Sequence, residues 1–169
     1  GNPFSATTTS THTVDTSAPT LNAQIFSYAE NQVAGATVAN VVASDNVAVT
    51  SFTFTATGTS TSADGYFQID NSGNVTMTAL GAASAVNDFE SGSNSGIYSV
   101  TAHDAAGNAT SANITLNELD VDDTAPTLAA QTFSYAENQV AGATVATVAA
   151  TDNVAVTSFT FTATGTSTS

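Results

Sequence analysis

Apolar and polar residues alternate along much of the chain, which is typical of half-buried β-strands. In residues 49–57, Phe52, Phe54 and Ala56 are separated by single threonines. The same alternation recurs in residues 97–103. No stretch repeats its apolar residues with the 3.6-residue period of a helix. The pattern therefore predicts an all-β chain.

Seven short strands fit between residues 20 and 119. We expect them at residues 20–28, 36–44, 49–57, 66–70, 74–80, 97–103 and 110–119. Asn71-Ser72-Gly73 predicts a hairpin turn between the fourth and fifth strands, and a loop of small residues should precede the sixth. Seven strands with turns between them predict a Greek-key, immunoglobulin-like β-sandwich.

The sequence repeats itself with a period of 107 residues. Residues 15–62 align with residues 122–169, and 41 of the 48 aligned positions are identical. Residues 1–14 resemble the end of the first copy. We therefore interpret residues 1–14 as the last strand of a preceding repeat and residues 15–121 as a complete domain. Residues 122–169 would be the first three strands of a second, near-identical domain.

A copy that carries only three strands lacks the sheet that would cover its apolar face. Phe159 and Phe161, the counterparts of Phe52 and Phe54, should then face solvent. We expect the sequence to be a window of a longer array of repeats.

The charge of the chain is one-sided. It contains 14 acidic residues and no lysine or arginine, which gives a formal net charge of -14. Such a chain is repelled by nucleic acids and by anionic membrane surfaces, so both are excluded as partners. The absence of cysteine excludes disulfides and thiolate metal sites, and no apolar run is long enough to cross a bilayer.

The acidic residues are not scattered over the predicted sandwich. When the strands alternate in direction, 11 of the 14 acids fall at the ends of a domain copy, and only Asp64, Asp70 and Glu118 do not. One of the 11 is Glu137, the counterpart of Glu30. Asp15, Asp45 and Asp104 share the upper end. The lower end, where the next copy begins, collects Glu30, Asp88, Glu90, Asp120, Asp122, Asp123 and, from that next copy, Asp152.

Seven carboxylates at one junction repel one another, and the chain contains no lysine or arginine to neutralise them. We therefore expect a cation there. Hard oxygen ligands from loops, without sulfur or clustered imidazole, favour Ca²⁺ over zinc or a redox metal. Magnesium is less favoured because it requires a stricter octahedron and retains its water molecules.

The 107-residue unit resembles the cadherin-like repeats. Six segments match the motifs of that family in order and in spacing. They are Ala29-Glu30-Asn31, residues 35–45, residues 67–75, Asp88-Phe89-Glu90, Ala102-His103-Asp104 and the linker at residues 120–126.

The resemblance implies which residues bind calcium. At the lower end they are Glu30, Asp88, Glu90, Asp120 and Asp123, with Asp122 at the linker's asparagine position and Asp152 from the next domain. Two departures from the family pattern remove ligands. Val47, and Val154 in the second copy, replace the second aspartate of an Asp-x-Asp motif, so the outermost site has lost a ligand. The linker before the first domain keeps only Asp15 of the three acids, so that junction should bind fewer ions and bend more.

The composition is similar to that of the repeat arrays in very large bacterial surface adhesins. This implies an extracellular, calcium-rigidified spacer that holds a distal binding domain away from the cell, with neighbouring repeats of the same polypeptide as its partners. One alternative is a repeat that adheres to like repeats or to glycans. A second is an ice-binding surface, suggested by the alternating threonines of residues 53–61.

An enzyme is not expected. Asp88 and Glu90 are two residues apart on a junction loop without an aromatic cleft, which does not fit a glycosidase pair. His12 and His103 have no partner at ligand spacing.

Overall fold

The computed structural model of the chain describes residues 14–162 and residue 165. It divides into two compact units, Gly1–Val121 and Asp122–Ser169. The expectation for residues 1–14 falls almost wholly outside the described residues. No described helix is long and apolar enough to cross a membrane. The strands of the first unit are β1 (Gln24–Ala29), β2 (Thr37–Asn40), β3 (Val49–Phe54), β4 (Phe67–Ile69), β5 (Asn74–Met77), β6 (Ser95–Asp104) and β7 (Ala109–Leu119).

The strands form two sheets. One sheet has the order β1-β7-β6-β3 and the other the order β2-β5-β4. β1 and β7 are parallel, and the other paired strands are antiparallel. The first unit is therefore an all-β, immunoglobulin-like sandwich, as the sequence predicts.

The core lies between the two sheets and follows from the alternation along each strand. Phe54 and Val100 on one sheet and Phe67 on the other are at most 2 % exposed. The ring of Phe67 packs edge to face against Tyr98, with the centroids 5.2 Å apart, and against Tyr28 at 6.3 Å. Burial of each of the larger apolar side chains contributes roughly 1.5–3 kcal/mol.

The third strand is shorter than predicted. β3 ends at Phe54 because the chain turns back there: the amide of Phe54 donates to the carbonyl of Thr59, and Gly58 has a φ of +65°. Ala56, which was expected in the core, is exposed. The threonines of residues 53–61 therefore do not line a single strand face. Thr57 and Thr59 instead hydrogen-bond locally within the turn.

The loop predicted before the sixth strand contains two short helical turns. An α-helical turn spans Ala79–Ala82, and a 3₁₀ turn spans Ala85–Asn87. The hydroxyl of Thr78 starts the first turn by accepting a hydrogen bond from the Gly81 amide at 3.0 Å. Both turns are too short to produce a helical period in the sequence, so the pattern could not predict them.

The predicted hairpin between β4 and β5 is formed. Gly73 adopts a φ of +85°, and its carbonyl accepts the amide of Val41 at 2.7 Å. Asp70 accepts hydrogen bonds from the amides of Ser72 and Asn74. A further hydrogen bond from the Asn74 side chain is the largest cause that holds the pKa of Asp70 below its ordinary value. Asp70 is thus a turn residue.

The second unit differs from the first despite its near-identical sequence. Among residues 122–162 the structure contains no strand, only an isolated bridge between Thr127 and Thr151. Phe159 is 55 % exposed and Phe161 fully exposed, whereas Phe52 and Phe54 are 6 % and 2 % exposed. In the first unit β1, β2 and β3 pair with β7, β5 and β6, for which residues 122–169 have no counterparts. The assignment of these residues to a second domain stays a prediction.

Substitution of Gly73 tests the packing of the hairpin against β2. A Cβ atom at this position would lie 2.1 Å from the carbonyl oxygen of Val41, whereas at Gly58 it would meet no atom within 4 Å. Both glycines have positive φ, so alanine at either costs about 1–2 kcal/mol of backbone strain. We expect Gly73→Ala to lower the free energy of unfolding by a further ~1–3 kcal/mol through steric overlap. Urea unfolding of both variants checks this, and equal losses would contradict it.

Candidate metal centres

Three carboxylates converge at the end of β1. Glu30 follows this strand directly, and Asp88 and Glu90 lie on the loop after the 3₁₀ turn. One oxygen from each of the three lies within 4.8 Å of one oxygen from each of the others. We call Glu30, Asp88 and Glu90 the lower cluster. The sequence predicted that these three residues would share one end of the domain.

Glu30 is the fixed member of the lower cluster. Its side chain is 2 % exposed, and its two oxygens accept the amides of Phe89 and Val121, each at 2.8 Å. These bonds tie the loop of residues 88–90 and the end of β7 to the same carboxylate. A carboxylate offers about four lone-pair sites, so Glu30 can still bind a cation.

Asn87 holds the loop of the lower cluster in place. Its side-chain oxygen accepts the Gln32 amide at 2.7 Å, and its side-chain nitrogen donates to the carbonyls of Gln32 and Ala82. The backbone carbonyl of Asn87 accepts a hydrogen bond from the amide of Asn31. Asn31 has a φ of +61°, and the chain turns away from β1 at this residue. Asn87 is 6 % exposed, so these bonds are shielded from water. The ligand loop is therefore attached to the sandwich by polar contacts that no sequence motif indicated.

Glu118 was not among the ligands predicted from the sequence. This residue was assigned to neither end, yet it is 4 % exposed and both of its carboxylate oxygens lack a hydrogen-bond partner. Burial, and then the negative charges of Glu30, Asp88 and Glu90, raise the pKa of Glu118 to about 7. The sequence did indicate that Glu118 is buried, because it follows Ile114 and Leu116 in the alternation of inward-facing residues along β7.

A second group of carboxylates lies at the start of β3 and the end of β6. Oxygens of Asp15, Asp45 and Asp104 lie within 4.8 Å of one another. We call these three residues the upper cluster. The sequence predicted that they would share an end of the domain, and the antiparallel pairing of β3 with β6 is what brings Asp45 close to Asp104.

Asp104 is the most firmly held member of the upper cluster. Its oxygens accept the amides of Ala106 and Asn108 at 2.9 and 2.8 Å, and the Asn108 side chain at 2.6 Å. Burial acts to raise the pKa of Asp104, but these hydrogen bonds outweigh it and keep the pKa below its ordinary value. The carboxylate is therefore held in its charged form.

Asp45 retains unused ligand capacity. Its Oδ2 accepts the amides of Val47 and Ala48, whereas its Oδ1 is buried without a hydrogen-bond partner. Val47, at the position where the cadherin-like motif has an aspartate, is 70 % exposed. The upper cluster therefore contains an unpaired oxygen but lacks one expected carboxylate.

The two clusters lie at opposite ends of the sandwich. β6 ends at Asp104, and its first residue, Ser95, pairs with Asn117 beside Glu118. The ten residues of β6 span roughly 30 Å. Each end of the first unit therefore presents three convergent carboxylates.

The remaining predicted ligands do not join either cluster among the described residues. Asp120 follows β7 and is exposed. Asp122 and Asp123 are exposed and Asp152 is partly buried within the second unit, where Asp152 accepts the amides of Val154 and Ala155. A junction site that draws on both units stays a prediction.

Two other polar side chains have structural roles. Asp64 accepts hydrogen bonds from Ser62 and Tyr98 hydroxyls and from the Tyr66 amide. His103 lies within hydrogen-bond distance of Thr53, at 3.1 Å, on the outer face of the large sheet. Neither residue belongs to a cluster. Both clusters consist of aspartate and glutamate side chains, so their ligand atoms are oxygens.

The donor sets fit calcium. Calcium binds six to eight oxygen ligands, including carboxylates and backbone carbonyls, in a flexible geometry. The buried side-chain oxygens without partners among the described residues belong to Asp45, Asn94 and Glu118. Asp45 lies in the upper cluster, while Asn94 and Glu118 are joined by a backbone hydrogen bond of 2.8 Å at the lower end. Unsatisfied oxygens thus occur at the same ends of the domain as the acidic clusters.

Comparison with known proteins gives a result only for structure. No protein-family model matches the sequence, and the comparison with curated proteins found no match. The chain is similar to the human desmocollin-1 ectodomain, with 19 % sequence identity and a TM-score of 0.56 over 73 % of this chain and 24 % of that one. It is also similar to protocadherin gammaB7 EC3-6, described as a cis-dimer structure, with 18 % identity and a TM-score of 0.51 over 70 % of this chain and 27 % of that one.

These similarities concern the fold. The chain spans about a quarter of the length of both neighbours, and its identity to each is below 20 %. Both neighbours are cadherin extracellular structures. The first unit of this chain accordingly has a cadherin-like fold.

Proposed function

We propose that the chain is part of a calcium-rigidified extracellular spacer, built from tandem cadherin-like domains. The observation that carries this proposal is the presence of three convergent carboxylates at each end of the first unit. With a repeat period of 107 residues, the lower end of one domain would meet the upper end of the next. Calcium would then bind at each junction.

The electrostatics of the chain support a cation at these ends. Like charges within a few ångströms repel, and this repulsion is strongest where protein excludes water. The chain has no lysine or arginine that could form an ion pair with any of its acids. A divalent cation would convert this repulsion into attraction between the loops that supply the carboxylates. Without it, the junction would be more flexible.

The lower site would use Glu30, Asp88 and Glu90, together with Asp120, Asp122 and Asp123 of the linker and Asp152 of the next domain. The upper cluster, Asp15, Asp45 and Asp104, would meet the linker of the preceding repeat. Because Asp15 is the only acid in the linker that precedes it, the upper site would bind calcium more weakly than the lower site, whereas the replacement of an aspartate by Val47 is shared by Val154 at the lower junction.

We further propose that the array belongs to a large bacterial surface adhesin. The absence of lysine, arginine and cysteine and the near-identity of adjacent copies support this origin. Its role there would be mechanical rather than enzymatic: the repeats would extend a distal binding domain away from the cell surface. Its main partners would be neighbouring repeats of the same polypeptide.

Direct adhesion by the repeat is a less favoured alternative. Stacking on sugars and most hot spots in protein interfaces depend on exposed aromatic side chains. Within residues 14–121, none of the large apolar residues that are strongly exposed is aromatic. The ice-binding alternative is disfavoured as well, because the threonines of residues 53–61 do not form one strand face.

Calcium titration tests the proposed lower site. Glu90 is exposed, so Glu90→Gln removes one ligand without disturbing the core. We expect the wild-type chain to bind calcium in isothermal calorimetry at physiological ionic strength and Glu90→Gln to bind it about 10–100-fold more weakly at one class of site. Glu137→Gln, an exposed acid in the second unit, controls for the loss of one charge. Equal affinities in all three proteins would contradict the assignment.

The weakened upper site can be tested by restoring a ligand. Val47 is largely exposed beside Asp45, so Val47→Asp adds a carboxylate where the cadherin-like motif has one. We expect this variant to bind calcium at least about tenfold more tightly at the upper cluster. Ile25→Asp adds the same charge at an exposed position on β1 and should leave the affinity unchanged. A similar gain in both variants would show that net charge, rather than ligation, is responsible.

Junction stiffness can be measured in a polypeptide that joins residues 15–126 to residues 20–121, which keeps the linker of residues 120–126 between two complete domains. We expect small-angle X-ray scattering to give a larger maximum dimension with calcium than with a chelator, because bound ions would restrict the inter-domain angle. Substitution of the junction residue Asp122 by alanine should reduce this difference while thermal unfolding of each domain changes little. Identical scattering with calcium and with chelator would argue against a rigidified spacer.

A further inference from the structure

Glu118 is a buried carboxylate for which the fold itself supplies no partner. It lies near the end of β7, opposite Tyr28 of β1, and faces the core like Ile114 and Leu116. Only 4 % of the residue is exposed, and neither carboxylate oxygen has a hydrogen-bond partner. A buried, unpaired carboxylate is strongly unfavourable, since it loses hydration without compensation.

The position of Glu118 relates it to the lower cluster. Glu30 is the next inward-facing residue after Tyr28, and its amide donates to the carbonyl of Leu119 at 3.0 Å. Glu118 therefore lies on the strand paired with β1, level with Tyr28 and two residues before the level of Glu30, and outside the group of three carboxylates whose oxygens lie within 4.8 Å of one another.

The neighbouring Asn94 adds a further oxygen. Its carbonyl accepts the amide of Glu118, and its side-chain Oδ1 is also buried without a hydrogen-bond partner. The inner side of the lower end thus contains unpaired acceptor oxygens without a donor. Such an arrangement suits a cation, because a metal ion satisfies several oxygens at once.

We propose that Glu118 is a further carboxylate of the lower cation site, in addition to the lower cluster and the acids of the junction. It forms the inner wall of that site, and its negative charge is balanced when calcium binds to Glu30, Asp88 and Glu90. Occupancy of the site is thereby coupled to the stability of the β1–β7 pair, because Glu118 lies in β7 and Glu30 directly follows β1. This inference rests on the proposed function, because it requires that the lower cluster binds calcium.

The proposed coupling predicts that Glu118→Gln stabilises the domain in the absence of calcium but weakens its binding of calcium. Glu118→Gln retains the size of the side chain and removes its charge, so it should raise the melting temperature in chelator, where the wild-type carboxylate is unbalanced. The same variant should bind calcium at least about tenfold more weakly. The increase in melting temperature on adding calcium should therefore be smaller than in the wild type. Substitution of a residue with a purely structural role would not change the calcium affinity.

The experiment is calcium titration calorimetry and thermal unfolding of the full chain at one fixed pH. The lower site is identified in the isotherm as the class of calcium sites whose affinity falls in Glu90→Gln. Glu118→Gln is expected to lower the affinity of this same class of sites. Glu137→Gln serves as the charge-matched control. Should Glu118→Gln fail to fold, Glu118→Leu provides a second variant without the charge, and the same two effects are expected.

The outcomes separate this inference from the proposed function. Weaker calcium binding together with a higher melting temperature in chelator supports Glu118 as part of the site. An affinity equal to that of the wild type, or reduced only as much as in Glu137→Gln, overturns it while calcium binding by the wild type stands. Absence of calcium binding by the wild-type chain would overturn the proposed function as well.

Discussion

The constraint on which this structure depends is the placement of 14 negative charges in a chain without a single lysine or arginine. Ion pairs with lysine or arginine are not available, so each buried acid needs hydrogen-bond donors or a cation. The exposed Asp64 and Asp70 accept hydrogen bonds from hydroxyl and amide donors in turns. The acids of the lower and upper clusters accept hydrogen bonds as well, but they also converge on one another.

The sandwich makes this convergence possible by bringing loops from distant parts of the chain to each end. Glu30 joins the loop of residues 88–90 to the end of β7 through two amide bonds of 2.8 Å. The pairing of β3 with β6 brings Asp45 near Asp104. A cation bound at either end would therefore act on several strands at once. This arrangement links the proposed calcium binding to the geometry of the domain rather than to a single loop.

Part of the candidate site could be predicted from the sequence and part could not. The alternation of strand directions was sufficient to group Glu30 with residues 88–90 and Asp45 with Asp104, since each acid follows or precedes a strand. The supporting role of Asn87 was not predictable, because its partners lie 55 residues away or on a loop without periodicity. Glu118 was missed because acidic residues are expected on the surface, although its position in the alternation of β7 indicates the core.

The two copies separate what the sequence determined from what tertiary structure decided. Features that need only residues 15–62 recur in both: the bridge Thr20–Ser44 and its counterpart Thr127–Thr151, positive φ at Asn31 and Asn138, and the glutamine bonds that link Gln24 to Val42 and Gln131 to Ala149. Strands β1 to β3 form in the first copy alone, because their hydrogen-bond partners come from residues 74–119. The sequence of this stretch thus determined its turns and its internal contacts, whereas strand pairing and burial of the phenylalanines required partners from the rest of the domain.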